Sequence, residues 1–141
     1  MSRNDLVRRL RAKLMDLKSQ RRRVLVHVNN TPLVLEVAST PDELRLGLSG
    51  RCDVPDGRGM VFLFPAADRW GFWMKDTHIP LSVAFVRSDG TIAWIRDMAP
   101  ESLETVKSPE AVKVAVEVPQ GWFERNGVDE GDRFVVAGDL S

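Results

Sequence analysis

The chain has little of what many function classes require. Cysteine occurs once in 141 residues, at Cys52, and histidine twice, at His27 and His78. A single cysteine excludes an internal disulfide and a cysteine-rich zinc site. Its neighbours Arg51, Asp53 and Asp56 make no thiolate-stabilising setting, so Cys52 reads as a spare thiol in a loop. Two separated histidines and scattered carboxylates give no metal-ligand spacing. No apolar run approaches the ~18 residues needed to cross a bilayer. The N-terminus is basic but lacks the apolar segment of a signal peptide. Gly47, Gly50, Gly57 and Gly59 lack the Lys-Ser/Thr and following helix of a phosphate-binding loop, and no dinucleotide fingerprint is present. No serine is placed to complete a nucleophilic triad. These absences lead us to expect no metal, no cofactor, no catalytic residue and a location in the cytoplasm or in an intracellularly assembled particle.

What is present is an ordinary globular composition, 43% apolar and 28% charged. The length fits one domain with a real core. The net charge of zero conceals a split. Residues 1–23 hold nine Lys/Arg (Arg3, Arg8, Arg9, Arg11, Lys13, Lys18, Arg21, Arg22, Arg23) against Asp5 and Asp16, a balance of +7 that leaves −7 for the rest. A basic arm joined to an acidic body is expected, with residues 1–23 as the arm and 24–141 as a single compact β-rich domain.

Residues 3–20 read as an amphipathic helix. Val7, Leu10, Leu14 and Leu17 recur at three- and four-residue steps and form one narrow stripe. Neither Gly nor Pro interrupts it, and Arg21, Arg22 and Arg23 suit the negative end of the helix dipole. So narrow a stripe fits a two-helix seam, a partner, or the protein's own body.

The remainder alternates. Val24–Val28 and Thr31–Val37 flank the turn signal Asn29-Asn30 and read as a hairpin. His27 reads as a packing or edge residue, having no second ligand nearby. Thr40-Pro41-Asp42-Glu43 starts a short helix, with Thr40 as cap, Pro41 in the first turn and Glu43 closing a capping box. Residues 50–59 read as a loop, Met60–Phe64 as a buried strand, and Pro65–Asp68 as a connection. Trp70–Met74 and Ser82–Arg87 read as strands. Asp89-Gly90 turns the chain into Thr91–Arg96. Residues 99–110 read as an irregular crossing. Val112, Val114 and Val116 mark a half-buried strand. A helical turn spans Pro119–Arg125, and a last strand Phe134–Ala137. The expected class is α+β with mostly antiparallel β-structure: a small β-barrel or curved sandwich, one or two short helices, and the N-terminal amphipathic helix.

Several stretches together resemble a known family. They are Thr40-Pro41-Asp42-Glu43-Leu44-Arg45-Leu46-Gly47-Leu48, Gly59–Phe64, Phe72-Trp73-Met74-Lys75-Asp76-Thr77 and Ile79-Pro80-Leu81. Asp89-Gly90, Glu117-Val118-Pro119, Gly127 and Gly131-Asp132 continue the series. Residues 24–137 thereby resemble the prokaryotic domain of unknown function 192. The resemblance implies one compact β-rich domain and no particular reaction. The sequence departs from the family's usual pattern at Asp76, where Asn is usual, and at Ser82, where Asp is usual. Many members are exported or membrane-anchored, a signal this chain does not show, and residues 1–23 lie outside the match.

The candidate site is Trp73, Lys75, Asp76, Thr77 and His78. Strand alternation would place Trp73, Lys75 and Thr77 on one face, a ring beside an ammonium and a hydroxyl that suits a small anion or a sugar-like ligand. The competing reading packs Trp73 on the Lys75 stem and spends Asp76 and Thr77 on the turn before Pro80. Asp76 and His78 make an acid–base pair only if the strand continues through them.

The leading functional expectation is a non-catalytic binding or assembly module, such as a component of a virion or other multi-subunit particle. Its arm would meet a protein partner or a second copy through Val7, Arg8, Leu10, Arg11, Leu14, Leu17, Arg21 and Arg22. Nucleic acid is the weaker partner, because the acidic body opposes it. The alternative is a small-molecule or anion-binding protein, enzymatic or not, that uses Trp73–His78.

Overall fold

A computed structural model describes Leu6 and residues 22–139. Apart from Leu6, the expected helix of residues 3–20 lies outside the described residues, as do seven of the eight partner-facing candidates, Val7 to Arg21. Arg22 lies inside them and is exposed. Arg23 already belongs to the first strand, so any arm ends before it.

Nine strands and two short helices follow in order. They are β1 (Arg23–Val28), β2 (Thr31–Ala38), α1 (Pro41–Leu46), β3 (Arg58–Asp68), β4 (Gly71–Phe72), β5 (Leu81–Val86), β6 (Ile92–Met98), β7 (Val106–Lys107), β8 (Val112–Pro119), α2 (Trp122–Arg125) and β9 (Phe134–Asp139). Seven strands form one sheet in the order β6-β5-β8-β3-β2-β1-β9, and β4 and β7 form a two-stranded ribbon. The pairing is antiparallel except between β2 and β3, which run parallel. That exception has a local cause. The connection from β2 to β3 carries α1 and a long loop, which is crossover length rather than hairpin length.

The turn signals in the sequence act as expected. Asn29 and Asn30 both take positive φ, 51° and 62°, the geometry of a tight hairpin turn. Thr40 accepts a hydrogen bond from the Glu43 N–H, and Glu43 Oε1 accepts from the Thr40 N–H at 3.1 Å, which closes the capping box.

The sheet curls until its two edges meet at one corner. Thr91 bridges Arg133 there. Phe134 N–H donates to the Gly90 carbonyl at 2.9 Å, and Ile92 N–H to the Asp132 carbonyl at 2.8 Å. Gly90 is required at this corner. Its φ is +93°, and a Cβ would collide with the Phe134 carbonyl oxygen. The result is the expected curled, mostly antiparallel β-structure, open along most of its two edges.

Both faces of the central strands are covered. One core fills the curl and takes side chains from all seven strands of the sheet, among them Val28, Leu33, Val61, Ala84, Ile92, Val118 and the partly buried Phe134. Trp122 and Phe123 of α2 close it. The second core lies on the opposite face, where Met60, Phe62, Val83, Phe85 and Ala115 meet Leu48, Met74 and Met98. All six residues of β5 are therefore buried. β8 was expected to be half-buried, but its second face is roofed by the segments around β4 and β7.

Several expected spans differ: Pro119 ends β8, so the helical turn expected over Pro119–Arg125 narrows to Trp122–Arg125, and two strands change more. β3 continues past Phe64 to Asp68 with a register break after Leu63. The expected strand Trp70–Met74 shrinks to Gly71–Phe72, because the Met74 N–H turns aside to the Ser102 carbonyl at 2.9 Å. Residues 99–110 include β7 and are otherwise irregular, as expected.

Candidate functional site

The second core is not sealed. A cavity of about 480 Å³ opens between the sheet, α1 and the segment 71–77. Phe62 and Phe64 of β3, Leu81 of β5 and Glu117 of β8 form its floor, while Leu44–Ser49 and Gly71–Thr77 form its walls. Its aromatic side is well ordered by ring contacts. Phe62 meets Phe72 edge to face at 4.9 Å, and Phe64 stacks on Trp70 at 4.5 Å.

The wall at 73–77 is a pinned turn rather than a strand. Asp76 has φ +58°, a left-handed conformation that Asp tolerates better than most residues. Its carbonyl accepts from the Gly50 N–H at 2.8 Å, and Thr77 N–H donates to the Met74 carbonyl at 3.0 Å. The alternation that would place Trp73, Lys75 and Thr77 on one face therefore does not operate here. Four of the five candidates, Trp73, Lys75, Asp76 and Thr77, nevertheless line the cavity, because the turn wraps its wall. His78 does not line it; its Nδ1 sits 2.6 Å from Glu101 Oε2, and both side chains are about half exposed. The acid–base pairing of Asp76 with His78 is thus replaced by a His78–Glu101 contact. Lys75 Nζ lies 5.5 Å from the Trp73 ring centroid, in cation–π range, and Trp73 is itself 54% exposed.

Glu117 is the residue that sequence reasoning passed over as a candidate. It is 4% exposed and stands opposite Met60 of β3 and Val83 of β5. No described side chain hydrogen-bonds or ion-pairs its carboxyl, yet among the described residues no polar side-chain atom is sealed away without a partner. The carboxyl accordingly faces the cavity that it helps to line. Burial alone pushes its pKa from 4.5 to about 8. The available signal was a glutamate inside the apolar run Ala115-Val116-Glu117-Val118-Pro119. Continuing the alternation of Val112, Val114 and Val116 with Lys113 and Ala115 puts Glu117 on the face that a half-buried strand turns to solvent.

Gly59 brings β3 close to β8 at this point. A Cβ on Gly59 would run into the Glu117 carbonyl oxygen and lie 3.1 Å from Val118 Cγ1. A second, broader concavity of about 840 Å³ lies beside α2 and β6. Ser82 belongs to that one, where its hydroxyl donates to Asp97 Oδ1 at 2.7 Å. Of the two departures from the family pattern, only Asp76 touches the Glu117 cavity. Among the described residues no cluster of His, Cys, Asp or Glu has metal-binding geometry, and no helix is long and apolar enough to cross a membrane.

Comparison with known proteins bears on this cavity chiefly through the fold. The family model DUF192, described as "Uncharacterized ACR", matches residues 24–136. A crystal structure from Sinorhizobium meliloti, described as a "putative transcription regulator", is 34% identical with a TM-score of 0.76 and covers 83% of this chain and 94% of that one. A protein of unknown function from Novosphingobium aromaticivorans is 30% identical with a TM-score of 0.77, covering 83% of this chain and 87% of its own. No curated protein matches the chain.

Proposed function

We propose that this chain, which belongs to the DUF192 family over residues 24–136, is a binding protein for a small organic molecule seated in the Glu117 cavity. One observation carries the reading. A carboxyl that is almost wholly buried and has no partner among the described side chains opens into an aromatic-walled cavity of ligand size. An apolar pocket with few convergent polar groups is the usual form of a small-molecule site. Leaving such a group unpaired is unfavourable, so a ligand that satisfies it gains accordingly. Trp73, Lys75, Asp76 and Thr77 supply the remaining contacts at the wall and mouth.

The test is a thermal-shift screen with amines, carboxylates, sugars and nucleosides. It runs on the wild-type chain and on Leu46→Trp, which adds bulk at an exposed lining position. A ligand present well above its dissociation constant should raise the melting temperature of the wild type by a few degrees. Leu46→Trp should lose that rise. No stabilisation by any class, or equal stabilisation of both proteins, sinks the reading.

A second reading concerns residues 1–23. They lie outside the family match and carry the basic excess, which supports an arm that docks on a protein partner or a second copy. Assembly into a larger particle is one form of it. The two readings are compatible, because the arm and the cavity use different residues.

A further inference from the structure

We infer that the cavity takes an organic amine, with the ammonium seated against the Glu117 carboxyl and the apolar body against Phe62, Phe64 and Phe72. This rests on the cavity reading above and names the ligand class for that site. Three features of the molecule favour a cation over a neutral or anionic head. A nearly buried polar group on the cavity floor is a carboxyl, and no described cation reaches it. Phe62, Phe64 and Phe72 line the cavity, and aromatic faces attract cations. The other charged groups on the cavity are Arg45, Lys75 and Asp76. Arg45 is exposed and pairs with Asp42 at 3.2 Å, and Lys75 is exposed and lies against Trp73. Charges in those places are screened by water. Met60 of β3 and Val83 of β5 stand directly opposite Glu117, so neither of its ladder partners is charged, and the charged residues of β3, Arg58 and Asp68, are exposed.

Seating an ammonium replaces the carboxyl's own proton. Empty, Glu117 holds that proton at neutral pH because burial raises its pKa to about 8. Binding of an ammonium then releases one proton to solvent. Affinity for an amine should rise as the pH climbs toward about 8 and level off above it, for as long as the amine stays charged. An alcohol with the same body would show no such rise.

The experiment uses three probes of one shape: 2-phenylethylamine, 2-phenylethanol and 3-phenylpropionate. Binding to the full chain is followed by calorimetry in phosphate buffer, since Tris is itself an amine. The expected result is an amine that binds about tenfold or more tighter than the alcohol at neutral pH, with an affinity that increases with pH. Glu117→Gln keeps the shape and the polar head, and should bring amine and alcohol to equal, pH-independent affinity. If the alcohol or the carboxylate binds as well as the amine, or if Glu117→Gln keeps the amine preference, the amine inference falls and the cavity reading stands. If none of the three binds at millimolar concentration, the amine inference falls, and the cavity reading falls with it only if the wider thermal-shift screen is also blank.

Discussion

At the scale of single residues, Glu117 is the least comfortable group in the molecule. It lies between Met60 and Val83 in a sheet covered on both faces, with no described partner to offset its desolvation. Its carboxyl is held near pKa 8 in the fold, whereas the unfolded chain returns it to the ordinary value of 4.5. Between those values the folded protein retains a proton that the unfolded chain has already lost. Glu117 therefore does no harm at low pH, and it destabilises progressively as the pH rises through that window. The slope is about 1.4 kcal/mol per pH unit, and the loss is complete above about pH 8. We expect urea unfolding of the wild type to show stability falling from about pH 5 to about pH 8, with a flatter profile for Glu117→Gln. Parallel profiles for the two proteins would show that the carboxyl is not buried in solution.

At the scale of elements, the cavity depends on pieces that have little hydrophobic anchoring of their own. Helix α1 has no fully buried residue and is short, yet it forms one wall. Its capping box accordingly matters more than it would in a long helix. Thr40→Ala should lower the unfolding free energy by about 1 kcal/mol, and Thr40→Ser should restore most of it. Equal stability of Thr40→Ala and wild type would mean that the cap contributes nothing. The loop after α1 is tied to β2 by a bidentate Arg51–Glu36 pair, whose second contact, Nη2 to Oε1, spans 2.9 Å. Glu36 is largely buried, with a side-chain exposure of 16%. Arg51→Ala would strand that carboxylate, and a loss of about 1–3 kcal/mol in chemical denaturation is expected. A loss no larger than that from Arg45→Ala, whose pair with Asp42 is solvent-exposed, would refute the structural role of the Arg51 pair.

At the scale of the whole molecule, residues 22–139 form a curled sheet with two cores, and the proposed arm rests on the charge of residues 1–23. Removing residues 1–21 spares Arg22, whose carbonyl accepts from the Val37 N–H at 2.8 Å, and Arg23 of β1. The truncated chain should therefore stay folded. If the arm docks on a second copy or a protein partner, light scattering and pull-down should show a smaller mass or lost binding. An unchanged mass together with unchanged partner capture would remove the arm from the functional account. The same truncation should leave amine binding intact, since it spares every described residue of the cavity lining, from Leu44 to Glu117.

The strands, the hairpin at Asn29-Asn30, the capped helix at Thr40 and the turn at Gly90 were all readable because each rests on local chemistry. Alternation, a left-handed residue and a cap need only near neighbours. In the segment Trp73–His78, by contrast, strand alternation does not describe the geometry. Its conformation is set by the distant carbonyl of Ser102 and the N–H of Gly50, which no local pattern announces. Glu117 shows the same limit more sharply. Period-two alternation says that it faces away from Val116 and Val118, and nothing in the sequence says that this second face is roofed. The sequence by itself determined the class of fold and the charge division between arm and body. Only the tertiary structure decided that a carboxyl on a nominally outward face would be buried and left facing a cavity. Burial belongs to the packing of segments far apart along the chain, whereas alternation belongs to the strand alone.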